Sequence, residues 1–356
     1  MILTDIWAAF FLSKVGFFMI QNEGIKAKFK INILVSFMVG LCLTLIGASC
    51  TSNPLLNRVS PTPNSQIKVV RIGHQPHGVP PILKKLGYLE KRLFPMGFKV
   101  EWKEFPAGPP IMEALGKGEI DLGMAGEVPP LFAQAKGLPI FYVANEPPLP
   151  QLITILVAKD SPIQSLENLK GKKIAVAKAS AGQYLLIQAL NKIGLTLNDV
   201  EPVYLLPPEG MKAFENGEVD AWAIWDPFFA LIEEKKPVRI LTTGEGLSNN
   251  MNFYFVTQSF ANNNDRIIKI VIDEMRKVGL WVPTHQEEAS QILASNTGLK
   301  LAVALKIIQR ARYEAQPIQD QAIEEQQRIA DTFFRLGLLP KSIRVEDAVL
   351  KRDLRN

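Results

Sequence analysis

Short apolar runs and amphipathic stretches alternate along this chain from Ile67 onward. Runs rich in branched and aromatic side chains are typical of β-strands, whereas apolar residues spaced three and four apart are typical of α-helices. Strands are predicted at 67–72, 98–105, 121–125, 140–144, 152–158, 172–177, 200–205, 221–224, 238–242 and 251–257. Helices are predicted at 80–90, 111–115, 131–136, 181–193, 211–216, 227–234, 266–280, 287–294, 301–313 and 322–336. This alternation predicts an α/β fold in which mostly parallel sheets are covered by helices.

The alternation restarts once, at Lys172, so its second cycle repeats the first. We therefore expect two lobes, each built on one mixed sheet. Residues 67–155 form the first part of lobe 1, 156–248 form lobe 2, and 249–356 return to lobe 1 and add the C-terminal helices. The strands at 152–158 and 251–257 are expected to be the two crossings between the lobes, and therefore the hinge.

A ten-residue motif occurs once in each cycle. Met112 to Asp121 aligns without gaps on Met211 to Asp220, with Met, Ala, Gly, Glu and Asp in register. Each copy is followed by a short apolar run, an acidic residue and a proline, with Glu127 in the first copy and Asp226 in the second. We interpret this as one helix-turn-strand unit used twice. A chance match of so short a motif is the alternative.

The N-terminal region has the pattern of an export signal. Three lysines at 26, 28 and 30 precede an apolar segment, and small residues lead to Cys50. A basic segment, an apolar segment and a cleavage site define a signal peptide, here 1–49, with translation starting at Met1 or at Met19. The sequence before Cys50 resembles the bacterial lipoprotein box, so Cys50 is the expected lipidation site and 50–66 a flexible tether. An uncleaved membrane anchor, and a second inserted segment upstream of the lysines, are the alternatives.

Composition narrows the compartment and the partners. The chain has 356 residues, 47% of them apolar, and a net charge of +5 without a basic stripe, so nucleic-acid binding has little support. Its two cysteines are Cys42, inside the apolar segment, and Cys50, so the mature domain has none for a disulfide. We expect a monomer outside the cytoplasm.

Four turns at the carboxyl ends of predicted strands are candidate anion sites. Open α/β sheets bind ligands at these ends, where helix N-termini offer unpaired amides. The candidates are 73–75, 107–108, 126–128 and 179–182. Prolines remove amide donors from the second and third turns, whereas Ser180, Ala181 and Gly182 are followed by no proline. The turn at 179–182 therefore ranks first, although Ser180 could also serve only as a helix cap.

Aromatic and acidic residues mark the end of the second copy of the motif. Trp222 and Trp225 lie three apart, so they should point to opposite faces of the strand. Trp222 is assigned to the core and Trp225 to a ligand wall. Asp226 precedes a proline and could be only a helix cap. If Asp226 or Glu127 reaches the cleft, it favours a ligand with a cationic end.

Catalytic and metal-binding patterns are sparse. His74 and His77 lie in a Gly- and Pro-containing turn without an evident third ligand, and His285 is remote in sequence. No nucleophile elbow, zinc-protease motif or phosphate-binding loop occurs. We expect no metal, no cofactor and no catalytic residue, which favours a binding protein.

Several segments together resemble the aliphatic sulfonate-binding proteins of ABC importers. The resemblance extends from about Val69 to Glu288 and rests on segments that include Gly118 to Asp121, Gly126 to Pro130 and Ala221 to Pro227. The others are 104–109, 132–135, 159–162, 169–173, 202–205 and 244–247. It implies the two-lobed periplasmic binding protein fold of type 2, closing on an alkanesulfonate that is passed to a membrane permease driven by an ATPase. Taurine, nitrate and bicarbonate binders are similar, and an enzyme on the same fold is the alternative from another class.

The resemblance also implies a set of ligand-binding residues. Its matching positions are Gln75, Gly108, Gly126, Glu127, Val128, Ser180, Ala181, Gly182, Trp225 and Asp226. Two departures affect which ligand fits. Val128 stands where a smaller alanine is expected, and Ala179 replaces the commoner glycine before the serine.

Overall fold

The computed structural model describes residues 67–351, all of which belong to one compact unit. Within them, ten strands form two five-stranded sheets. The strands are β1 Lys68–His74, β2 Phe98–Glu104, β3 Leu122–Gly126, β4 Ile140–Asn145, β5 Ile153–Ala158, β6 Lys173–Val176, β7 Glu201–Tyr204, β8 Ala221–Trp225, β9 Val238–Thr243 and β10 Asn252–Thr257. Each overlaps a run that the sequence predicts. The predicted signal peptide, Cys50 and the tether lie outside the described residues.

The two sheets have the same strand arrangement. The order is β2-β1-β3-β10-β4 in the first sheet and β7-β6-β8-β5-β9 in the second. In each sheet four strands run in one direction and the fourth in order, β10 or β5, runs against both of its neighbours. The predicted mixed and mostly parallel sheets are confirmed.

The crossings between the lobes lie beside these reversed strands. Residues 146–152 connect β4 of the first sheet to β5 of the second, and 244–251 connect β9 back to β10. From the sequence, the strands themselves are predicted to be the crossings. The structure instead gives each strand entirely to one sheet, because β5 pairs with β8 and β9 while β10 pairs with β3 and β4.

Helices cover both faces of each sheet. They are α1 Val79–Leu86, α2 Tyr88–Leu93, α3 Gly108–Gly116, α4 Pro129–Ala135, α5 Ala181–Lys192, α6 Pro207–Glu215, α7 Phe228–Lys235, α8 Gln258–Ala261, α9 Asp265–Trp281, α10 Gln286–Thr297, α11 Leu301–Arg310 and α12 Asp320–Arg335. The predicted helix 80–90 is broken at Gly87, whose left-handed φ of 65° ends α1. The predicted helix 301–313 stops at Arg310, and α8 was not predicted.

The C-terminal helices pack on the first lobe, as expected. Helices α9 to α11 contribute to the core on one face of the first sheet, with Ile268, Val271 and Ile308 buried beside Val70. Helix α12 covers the other face with Phe333. No single described helix is long and apolar enough to cross a membrane, although the bent pair of α10 and α11 passes on length and composition alone.

The repeated motif has the same structural role in both lobes. Gly118 and Gly217 adopt left-handed φ angles of 67° and 72° just after α3 and α6, which end in the same capping turn. Asp121 then accepts a hydrogen bond from the backbone N–H of Arg71 in β1 at 2.9 Å, and Asp220 accepts one from that of Lys173 in β6 at 2.8 Å. The shared residues therefore fasten the same helix-turn-strand unit to the first strand of each sheet.

Candidate binding cleft

A cleft lies where the carboxyl ends of β1, β3 and β8 meet the N-terminus of α5. The cleft is open to solvent on one side. Its lining comes from both lobes, both crossings and α11. The lining residues are Gln75, His77, Gly108, Gly126, Pro129, Leu149, Leu152, Ser180, Ala181, Trp225, Asp226, Asn250, Asn252, Ile307 and Tyr313. The position at the strand ends is the one that open α/β sheets use for ligands.

Seven of the ten predicted ligand-binding residues line this cleft. They are Gln75, Gly108, Gly126, Ser180, Ala181, Trp225 and Asp226. Glu127, Val128 and Gly182 are not part of the lining. Val128 is completely buried in the core of lobe 1, and Gly182 lets α5 approach β8, since an added Cβ would lie 3.0 Å from the carbonyl oxygen of Ala223.

The Ser180 hydroxyl caps α5. Its oxygen accepts a hydrogen bond from the backbone N–H of Gln183 at 3.2 Å, and its proton is donated to the carbonyl of Ala177 at 2.6 Å. The single proton of the hydroxyl is therefore already donated within the protein and is not free for an anion. The amides of Ala181 and Gly182, which belong to the first helical turn and have no intrahelical acceptor, are the donors that this helix offers to an anion.

The turn before Ser180 is held in an unusual backbone conformation. Ala179 has a left-handed φ of 55°, a region that disfavours residues with a Cβ atom. Its N–H donates to the side-chain oxygen of Gln183 at 2.7 Å, which fixes the turn against α5. The departure from glycine noted in the sequence therefore falls at a position that requires a positive φ.

Gln75 and Tyr313 are among the cleft residues whose polar side-chain atoms form no hydrogen bond with another described residue. Gln75 is only 3% exposed, and its side-chain amide makes no hydrogen bond within the described part of the chain. The Tyr313 hydroxyl is in the same situation, and burial raises the pKa of this phenol well above its usual value. Both groups are therefore available as neutral hydrogen-bond donors to a ligand.

The end of β8 supplies an aromatic and an acidic residue to the cleft. Trp225 is half-buried there, whereas Trp222 is buried in the core of lobe 2 against Phe214. Asp226 accepts a hydrogen bond from the N–H of Ala230 at 3.0 Å, so it caps α7 as well as lining the cleft. Its second oxygen has no hydrogen-bond partner and lies 3.6 Å from Arg310 Nη1. Burial raises the pKa of Asp226 to about 6.

Glu127 lies behind the cleft wall and fastens the second crossing. Its carboxylate accepts hydrogen bonds from the Ser248 hydroxyl at 2.7 Å and from the N–H of Met251 at 3.0 Å. The side chain is completely buried, which raises its pKa to about 7. The Glu127 side chain therefore holds the second crossing, and it does not line the cleft in this structure.

The crossings and α11 contribute cleft residues that were not predicted from the sequence. Leu149, Leu152 and Ile307 give the cleft an apolar side, while Asn250 and Asn252 add amides beside the second crossing. Asn252 donates to Glu146 at 2.9 Å, and Asn250 donates to the carbonyl of Leu149 at 2.9 Å. Only the expected crossings at 152–158 and 251–257, which contain Leu152 and Asn252, indicated any of them.

The histidines do not form a metal centre. His77 lines the cleft, and burial lowers its pKa to about 4, so it is neutral near pH 7. His74 is buried with Nδ1 2.8 Å from the carbonyl of Gln75, and His285 stacks on Trp281. Among residues 67–351, no group of three or more His, Cys, Asp or Glu side chains is placed to hold a metal ion.

Comparison with known proteins finds one matching family model and several similar binding proteins. A sequence model of the family described as NMT1/THI5 like matches residues 84–289. The structure of an alkanesulfonate-binding protein from Xanthomonas axonopodis pv. citri, bound to MOPS, is 37% identical, with a TM-score of 0.76 over 80% of this chain and 99% of that one. The crystal structure of the periplasmic aliphatic sulphonate binding protein from Escherichia coli is 36% identical, with a TM-score of 0.73 over 80% and 92%. A taurine-binding periplasmic protein from Escherichia coli is 30% identical over 49% of this chain and 54% of its own length.

Proposed function

Because this chain belongs to the NMT1/THI5-like family, we propose that it is the substrate-binding component of an ABC importer and closes its two lobes on an aliphatic sulfonate. The observation that carries the proposal is the division of the cleft into two parts. The free amide of Ala181, at the N-terminus of α5, lies on one side of the cleft, and Leu149, Leu152 and Ile307 form an apolar side. An anionic head and an aliphatic tail match these two parts.

The physical basis of head-group binding is hydrogen bonding rather than a full positive charge. A helix N-terminus favours an anion by about 0.3–1 kcal/mol through its dipole, and each unpaired amide adds a donor. Gln75 and Tyr313 supply further neutral donors. Neutral donors suit a sulfonate, which stays ionised at every physiological pH and needs no proton from the protein.

Location and partners follow from the relatives and the N-terminal sequence. The relatives that share a third of their residues with this chain are binding proteins and not enzymes, and the one from Escherichia coli is periplasmic. We infer an extracytoplasmic protein, anchored through lipidated Cys50 and active as a monomer, that delivers its ligand to a membrane permease coupled to an ATPase. The lipoprotein-like sequence before Cys50 supports the anchor.

A second candidate ligand is a sulfonate that also carries a cationic group, as taurine does. Asp226 favours this second ligand, because its carboxylate is buried, lines the cleft and has one oxygen without a hydrogen-bond partner. The neighbouring Arg310 competes for the same oxygen at 3.6 Å. The partial similarity to a taurine-binding protein supports this candidate as well.

Calorimetric titration of the purified protein tests both candidates. The panel contains ethanesulfonate, longer alkanesulfonates, MOPS, taurine, sulfate, nitrate and bicarbonate. We expect alkanesulfonates to bind and the inorganic anions to bind more weakly, since only the former fill the apolar side. Binding of nitrate or bicarbonate without any sulfonate would overturn the assignment.

The variant Asp226→Asn separates the two ligands. Asparagine keeps an oxygen for the N–H of Ala230 but removes the negative charge. If the cleft selects a cationic group, the variant should lose affinity for taurine by about tenfold, which corresponds to about 1.4 kcal/mol. Its affinity for a neutral-tailed alkanesulfonate should change by a smaller factor, because that ligand has no cationic group for Asp226 to attract. Equal effects on both ligands would remove the second candidate.

A further inference from the structure

A group of ion pairs joins the two lobes beside the cleft. Helix α11 packs on the first lobe, where Ile307 and Ile308 are buried in its core. Basic residues on and before α11 nevertheless contact acidic residues of α7, which belongs to the second lobe. We call these contacts the interlobe ion pairs.

The interlobe ion pairs centre on Glu233 and Glu234. Lys306 Nζ lies 2.9 Å from Glu233 Oε2, and Arg310 Nη2 lies 3.5 Å from the same oxygen. Lys300 Nζ lies 2.5 Å from Glu234 Oε1. Every cation comes from the first lobe and every anion from the second. The facing surfaces are therefore electrostatically complementary.

The spacing on both helices explains why these charges meet. Lys306 and Arg310 are four residues apart, so they occupy one face of α11. On α7, Phe229 and Glu233 are also four apart, and the Arg310 guanidinium lies 5.2 Å from the centre of the Phe229 ring. Arg310 thus spans the aromatic ring, Glu233 and the cleft residue Asp226, and only 23% of its side chain is exposed. The contacts of Lys306, Arg310, Glu233 and Asp226 therefore form a connected network, beside which Lys300–Glu234 is a separate surface pair.

We propose that Lys306, Arg310 and Lys300 are positioning residues that hold the lobes closed through Glu233 and Glu234, and so set the affinity of the cleft for its ligand. The proposal rests on the function argued above, because it assumes that the ligand binds the closed lobes. A ligand that binds only the closed form has an apparent affinity reduced by the fraction of closed protein. Weakening the interlobe ion pairs should lower that fraction without altering any group that touches the ligand.

Salt dependence distinguishes this role from simple packing. Exposed ion pairs are screened over about 8–10 Å at physiological ionic strength, whereas apolar contacts are not weakened by salt. Closure held by these pairs should therefore become less favourable as salt rises. A network can matter even where each exposed pair contributes little alone.

The first test uses the full chain in detergent and calorimetric titration with the alkanesulfonate that binds wild type best. Glu233→Gln removes the partner of both Lys306 and Arg310, and we expect affinity to fall about fivefold at low salt. The difference should shrink in about 1 M salt, where the pairs are screened. The matched control is Glu215→Gln, because the Glu215–Lys235 pair, 2.8 Å apart, lies entirely within the second lobe.

A charge exchange provides the rescue. Glu234 and Lys300 have no other ion-pair partner among the described residues. Glu234→Lys and Lys300→Glu should each weaken binding, and the double variant should restore it. A merely structural effect of either substitution would add in the double variant instead of cancelling.

The second test measures closure without any ligand. Spin labels are placed at Lys192→Cys in the second lobe and Asn263→Cys in the first, both exposed, in a chain whose own two cysteines are changed to serine. We expect the distance distribution to shift to longer values in Glu233→Gln and in high salt. Unchanged distances together with unchanged affinity in Glu233→Gln would overturn the proposal. A shift in distance in a protein that binds no sulfonate would support the ion pairs and refute only the proposed ligand class.

Discussion

Three buried side chains around the cleft have displaced pKa values with opposite consequences for stability. Burial raises the pKa of Glu127 from 4.5 to about 7 and that of Asp226 from 3.8 to about 6. It lowers the pKa of His77 from 6.5 to about 4. At a pH between its unfolded-state pKa and its raised folded-state pKa, an acid binds more protons in the folded protein than in the unfolded chain. Its contribution to stability therefore falls as pH rises through this range. His77 acts in the opposite sense, and its contribution rises with pH from about 4 to 6.5.

Glu127→Gln should remove one of these pH dependences. Glutamine is nearly the same size, and its amide can accept from the Met251 N–H and donate to the Ser248 oxygen. The wild type loses the Glu127 contribution between pH 4.5 and about 7, but the variant does not. As pH rises from 4.5 to about 7, the free energy of unfolding of the variant minus that of wild type should therefore increase by about 3 kcal/mol.

Denaturant unfolding at pH 5 and pH 8 measures the effect of Glu127→Gln. A difference between variant and wild type that is the same at both pH values would show that Glu127 does not titrate in this window. The comparison cancels the opposing contribution of His77, which is present in both proteins.

At the scale of elements, the duplicated helix-turn-strand unit could be predicted from the sequence because its determinants are local. Gly118 and Gly217 are required for left-handed turns, and Asp121 and Asp220 follow at the same spacing to bond the first strand of each sheet. The free amides at Ala181 were also predictable, since they depend only on a strand followed by a proline-free helix start. The role of Glu127 was not, because its partners lie more than 120 residues away.

Helix α9 contains a glycine whose purpose becomes visible only in the structure. A Cβ at Gly279 would overlap the carbonyl oxygen of Tyr313. The missing side chain lets the backbone around Tyr313 pass against α9, and so brings this tyrosine into the cleft. In sequence the glycine is only an unfavourable residue inside a helix.

Gly279→Ala should destabilise the protein although alanine is the better helix former. Helix propensity favours the change by about 1 kcal/mol, but overpacking against a rigid backbone costs about 1–3 kcal/mol and displaces Tyr313. We expect a net loss of up to about 2 kcal/mol in the free energy of unfolding, together with weaker ligand binding. Leu280→Ala is the control, since this neighbouring side chain is 52% exposed and should change stability by less than about 0.5 kcal/mol. Equal stabilities of Gly279→Ala and wild type would mean that the segment shifts without cost.

At the scale of the molecule, strand positions were predictable but the assignment of β5 and β10 to sheets was not. A period-two apolar pattern identifies a strand. The strands that pair with it depend on contacts between segments far apart in sequence, which the local pattern does not reveal. Both reversed strands were therefore taken as the crossings, which actually precede them at 146–152 and 244–251. The cleft residues Leu149, Asn250 and Tyr313 were missed for the same reason.

A buried carboxylate ties the first crossing to β10, the strand that follows the second crossing. Glu146 begins the first crossing and accepts hydrogen bonds from the Tyr254 hydroxyl at 2.7 Å and from the Asn252 amide at 2.9 Å. Both donors belong to β10, directly after the second crossing, and burial raises the pKa of Glu146. The Glu146 hydrogen bonds therefore fix the start of the first crossing, after β4, against β10 of the first lobe.

Tyr254→Phe tests whether this connection supports the whole molecule. Phenylalanine keeps the ring but leaves one oxygen of a fully buried carboxylate without its donor, which costs about 1–3 kcal/mol. The free energy of unfolding should fall by that amount, and ligand affinity should fall too, because Asn252 on the same strand lines the cleft. Tyr88→Phe, at a ring that is 41% exposed, controls for loss of a hydroxyl. If Tyr254→Phe and Tyr88→Phe were equally stable, Asn252 alone would satisfy Glu146, and the tyrosine would contribute only its ring to the core.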